Sequence, residues 1–79
     1  MPNNQLTAHE QGLMRRCTWA AKEHAIARER GKDIATFGNL HQEAYAAVER
    51  ELGWGLAQAA RAEGFELATA YVARQARNA

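Results

Sequence analysis

The sequence predicts an all-α fold, a small three-helix bundle made of a helical hairpin and a third packed helix. Three observations predict it. Eighteen of the 79 residues are alanine, the strongest helix former. Larger apolar residues recur at three- and four-residue spacing, and no segment reads as a strand. Alanine buries little area, and nineteen larger apolar side chains remain. A chain of this length buries only about 60% of its unfolded surface. It therefore makes helices easily and a thick core with difficulty. Close helix packing, or a second copy of the chain, is expected to compensate, so a homodimer is the expected assembly. The length allows one domain, residues 1–79.

The first helix is expected over residues 8–30, after a polar lead. Thr7 followed by Glu10 forms a capping box, and Arg28, Arg30 and Gly31 form a helix ending. Its apolar stripe is Leu13, Met14, Cys17, Ala20, Ala21 and His24. Gly12, Trp19 and Ile26, seven apart, lie on the opposite side among Arg15, Arg16, Lys22 and Glu23. They make a second seam, through which two copies would pair.

Residues 31–38 read as a connector in which Ile34 and Phe37 fold inward over one end. Asp33 or Thr36 could cap an early helical turn there. Asn39 with Gln42 offers a second capping box, so the next helix is expected over 40–63. Its stripe is His41, Tyr45, Val48, Leu52, Leu56 and Ala59. Gly53-Trp54-Gly55 interrupts it, but the stripe keeps its phase, which favours a helix continuous or kinked at 53–55. The alternative is a break at Gly53 and a fresh helix from Trp54. Gly64 reads as a left-handed cap. A third helix over 65–76 carries Phe65, Leu67, Ala68, Tyr71 and Val72 and packs across the antiparallel pair.

Charge and composition narrow the function. The net charge is +1, no signature for nucleic acid or membrane. No run approaches transmembrane length. The lone Cys17 cannot form an intramolecular disulfide, and a cytoplasmic setting is expected. Eight arginines against two lysines, with the alanine excess, suggest a GC-rich gene of bacterial or phage origin. The chain contains no serine, so no Ser-His-Asp arrangement is possible. Cys17 sits on an apolar stripe where thiols are inert. Glu43, Glu49 and Glu51 read as a solvated face. Cys17 and His24 stand about 10 Å apart along one helix, too far to share an ion. His9 and His41 lack a ligand at i+4. No enzyme, metal or cofactor is therefore expected.

Two function readings rest on particular residues, beside a third, a purely structural subunit of a larger helical assembly. Residues 56–75 fit a helix-turn-helix through Ala60, Gly64 and Phe65, but depart from it at Glu63, Ala70 and Ala73. Its recognition face would be Glu66, Leu67, Thr69, Val72 and Gln75, with Arg74 and Arg77 for phosphates. This gives the alternative, a dimeric DNA-binding regulator. Three arginines against two glutamates in residues 56–79 count against it.

The leading reading rests on the tryptophans. Trp19 and Trp54 fall off the apolar stripes, each with an arginine four residues earlier, Arg15 and Arg50. A plain cation–π role would shield the rings, and burial inside the bundle or a dimer is the other ordinary fate. Tryptophan and arginine also dominate protein-interface hot spots. The chain is thus expected to bind a larger protein and regulate or inhibit it. The contact set is Gly12, Arg15, Arg16, Trp19, Ile26, Arg50 and Trp54.

Overall fold

A computed structural model describes residues 5–78, which form three α-helices and no strand. These are α1 (Ala8–Arg30), α2 (Ile34–Leu52) and α3 (Trp54–Asn78). α1 begins and ends as its sequence dictates. The Glu10 amide donates to the Thr7 hydroxyl at 3.1 Å, and the Glu10 carboxylate accepts from the Thr7 amide at 2.9 Å. Gly31 closes the helix at φ 69°, its N–H donating to the Ala27 carbonyl.

The other boundaries differ from expectation. α2 starts at Ile34 and not near Leu40, because Asp33 takes a left-handed conformation (φ 61°) two residues after Gly31. Aspartate tolerates that region better than most residues, so the chain reverses within three residues. Asn39 and Gln42 therefore lie inside α2, and no capping box forms there. Ile34 is exposed and does not fold inward, while Phe37 is half-buried.

The middle helix does not continue to residue 63. Gly53 stands at φ 98°, ψ 163°, a backbone conformation open almost only to glycine. Its N–H donates to the carbonyls of Val48 and Glu49, ending α2. Its own carbonyl accepts from Ala57, starting α3. One residue thus serves as the whole connection. Leu56 and Ala59 consequently leave the expected stripe and are exposed.

Gly64 is no cap. It lies inside α3, which runs unbroken from Trp54 to Asn78, so no separate helix starts at 65. A methyl group at Gly64 would lie 2.5 Å from the Thr18 carbonyl oxygen and 2.9 Å from the Lys22 nitrogen. The glycine is there because the backbones of α1 and α3 nearly touch. Ala57, Ala60, Gly64 and Ala68 form the buried face of α3, a stripe of small residues at helical period that permits this approach.

The helices run up, down and up. His9 of α1 meets Glu51 at the foot of α2 at 3.1 Å, and Arg30 donates to the Tyr71 hydroxyl at 2.9 Å, so α3 runs alongside α1 in the same direction. Cys17, Ala20, Ala44, Val48, Ala57 and Ala60 form the core, covered by Leu13, Met14, Tyr45 and Leu52. The largest side chains buried completely are Val48 and Cys17. Close packing is thus achieved with small side chains, which leaves several large ones outside. Among the described residues no helix is long and apolar enough to cross a membrane.

Candidate functional site

Trp19 stands between two apolar grooves. It is fixed on α1, 46% exposed, and walls a groove on each side. The α1–α2 groove, about 640 Å³, runs between Leu13, Arg16 and Trp19 on one side and Leu40, Glu43, Ala44 and Ala47 on the other. The α1–α3 groove, about 410 Å³, is lined by Met14, Thr18, Trp19 and Lys22 facing Glu63 and Leu67. Arg15 borders both. The α1–α2 groove exists because Ala44 and Ala47 offer too little volume to fill the space beside the indole.

The expected cation–π pairs are not formed. Among the described residues the cations over rings are Arg61 on Tyr45, 4.1 Å from the centroid, and Arg30 on Tyr71, 5.6 Å. Trp19 instead meets the edge of Phe37, with ring centroids 6.2 Å apart. Arg15 and Arg16 are exposed and, among the described residues, belong to no ion pair. They stand free beside the indole.

The rest of the expected contact set divides. Gly12 is half-buried, and a methyl group built on it would meet nothing within 4 Å, so the surface above it is open. Ile26 is only 6% exposed. The early start of α2 brings Asp33 and Phe37 against the cavity it lines, so Ile26 is closed off and leaves the set. The second seam therefore shortens to Gly12 and Trp19. Trp54, the first residue of α3, is 65% exposed. The break at Gly53 frees it, but it turns outward. It borders neither Trp19 groove, so the two tryptophans are not one site. Arg50 is exposed in the last turn of α2 and does not cover the Trp54 ring.

The helix-turn-helix geometry is absent. Residues 56–75 lie within one unbroken helix, with Gly64 buried against α1 where a turn was expected. Glu66, Thr69, Arg74, Gln75 and Arg77 are exposed along that helix and form no separate recognition element.

Several site residues were not legible as such. Leu40 and Leu67, which wall the two grooves, read respectively as a helix start and a stripe member. A second cluster also emerges. His24 and His41, each on an expected stripe, meet Nδ1 to Nδ1 at 3.1 Å. One ring must donate and the other accept, so at least one is neutral while the bond holds. Burial lowers the pKa of both; Arg28 adds to this for His24, and Arg61 and His24 add to it for His41. Gly38 makes room for the pair, since a methyl group there would lie 3.1 Å from His24 Nε2. Cys17 is fully buried, and burial pushes its thiol pKa up, away from the reactive thiolate.

Comparison with family models finds no match to this chain, and comparisons with curated proteins and with solved structures likewise find no significant match.

Proposed function

We propose that the chain is a non-enzymatic protein–protein interaction module that captures a larger partner on the Trp19 face and thereby regulates or inhibits it. The observation that carries this reading is the exposed Trp19 ring, standing between two apolar grooves with Arg15 and Arg16 beside it, neither in an ion pair among the described residues. A rigid aromatic anchor beside cations is what interface hot spots select. Grooves on both sides suit an apolar helix face, whose side chains would fill the volume that the alanines leave. The proposed setting is the cytoplasm, where Cys17 stays a thiol.

The test is affinity capture from a native lysate with wild type, Trp19→Ala and Trp54→Ala side by side. A partner retained by Trp54→Ala and lost by Trp19→Ala, with helicity unchanged, supports the reading. Equal capture by all three chains contradicts it. A second copy of the chain would use the same face. Light scattering separates the two occupants: a monomeric chain leaves the face free for a different protein, and a dimer broken by Trp19→Ala does not.

A further inference from the structure

Away from the Trp19 face, the three helices border a further groove of about 570 Å³ whose lining is chemically one-sided. Its charged and titratable members are His24 and Arg28 from α1, His41 and Tyr45 from α2, and Arg61 from α3. Among the described residues no carboxylate lines it, although the chain as a whole holds nine acidic residues against ten basic ones. The neighbouring acid is Glu29, in the adjoining groove that shares Arg28.

The cluster is also polar beyond what its own partners satisfy. His41 is 6% exposed, its Nδ1 is taken by His24, and its Nε2 has no hydrogen-bond partner. The Arg61 Nε is likewise buried without one. Buried polar groups are nearly always paired, and leaving one unpaired costs free energy. Arg61 is nevertheless held in place. Its guanidinium lies 4.1 Å over the Tyr45 ring, and the Tyr45 hydroxyl accepts from Gln58 at 2.6 Å. Arg61, held in place on α3, and Arg28 on α1, with no carboxylate of the described residues in the lining, make a site for a negative charge.

We propose that this groove binds a tetrahedral oxyanion, a phosphate or sulfate group, between Arg28 and Arg61, with the His24–His41 pair as its proton-sensitive floor. Such an anion supplies the countercharge that the groove lacks. It thereby favours protonation of the pair, so binding tightens as the pH falls through the histidine range.

The test is NMR of the histidine Cε1–H signals of the intact chain during titration with sodium sulfate, ionic strength being held constant with sodium chloride. Sulfate keeps its charge throughout the range, so any pH dependence belongs to the protein. The expected result is saturable shifts of His24 and His41, absent from His9, with affinity roughly tenfold tighter at about pH 6 than at about pH 8. Arg61→Gln is expected to weaken binding by roughly tenfold or more. Arg28→Gln, at an exposed position, provides the variant that leaves folding intact. Phenyl phosphate binding more tightly than inorganic phosphate identifies an esterified phosphate as the natural source, and the reverse order identifies the free ion. Shifts that do not saturate, that chloride reproduces, or that both glutamine variants leave unchanged mean an adventitious ion only and overturn the site.

Discussion

The two flanks of α1 are built on opposite terms. Against α3 it presents backbone to backbone, through Gly64 set between Thr18 and Lys22. Against α2, at the level of Trp19, it leaves a groove in which Ala44 and Ala47 face an exposed indole. Along the line of Gly64 the first flank closes because its side chains there are small and regularly spaced, and its groove lies outside that seam, between Trp19, Glu63 and Leu67. The second stays open because its small side chains face a large ring that they cannot cover. Small residues thus have two outcomes in one bundle: where backbones can approach they make the seam, and where a bulky neighbour prevents approach they make a binding surface. In a core whose largest completely buried side chains are Val48 and Cys17, stability rests on the seam, and the groove is free for function.

The strongest way to break this contrast is at Gly64. Gly64→Val is expected to cost about 3 kcal/mol or more, because the methyl groups meet backbone atoms that cannot move aside. Even Gly64→Ala should be destabilising in a denaturant melt, despite about 1 kcal/mol of helix propensity gained. Unchanged stability would mean that α1 and α3 do not approach this closely. Next is Gly53→Ala, expected to cost about 1–3 kcal/mol, since φ 98° is a conformation that L residues rarely adopt. A smaller loss would show that the chain can pass from α2 to α3 by another route.

Gly38→Ala sharpens the comparison by contrast with Gly64. Its methyl group would meet only the His24 ring, at 3.1 Å. A side chain can yield where a backbone cannot, so the variant should lie within about 1 kcal/mol of wild type, with the helix-propensity gain offsetting the displacement. It should also perturb the His24–His41 bond, read as a shift of both histidine NMR signals.

That histidine pair predicts a pH dependence. Both rings are held below the ordinary value of 6.5, chiefly by burial. The unfolded chain therefore takes up these protons first as the pH falls. The contribution is complete above about pH 6.5 and is lost progressively as the pH falls from there through the folded-state values. Thermal melts of wild type across that range should show the decline, and Gly38→Ala should alter it.

How much of this was legible follows from which signals are local. α1 was readable from end to end, because Thr7, Glu10 and Gly31 act on their immediate neighbours. The glycines after it were not separable by sequence. Gly53 and Gly64 both read as possible interruptions, yet one breaks the chain by its dihedral angles and the other is a contact made with a helix some forty residues earlier. Only tertiary packing distinguishes the two. The early start of α2 depends on Asp33 accepting a left-handed conformation, which its type permits but does not require. For the candidate site, the off-stripe position of Trp19 was legible from helical phase. Leu40, Glu43 and Leu67 beside it were not, because they arrive from other helices. His24 and His41 were each placed on their stripes, but their meeting across seventeen residues had no local signal.

The most direct test is the unfolding free energy of Trp19→Ala, measured beside Gly64→Val under the same conditions. If the Trp19 face is free surface and the α3 seam holds the fold, Trp19→Ala loses about 1–2 kcal/mol, from the half-covered ring and its contact with Phe37. The Gly64 variant loses more. A loss of about 3–5 kcal/mol for Trp19→Ala, typical of a buried aromatic residue, would place the ring in a core or a stable dimer and contradict the account.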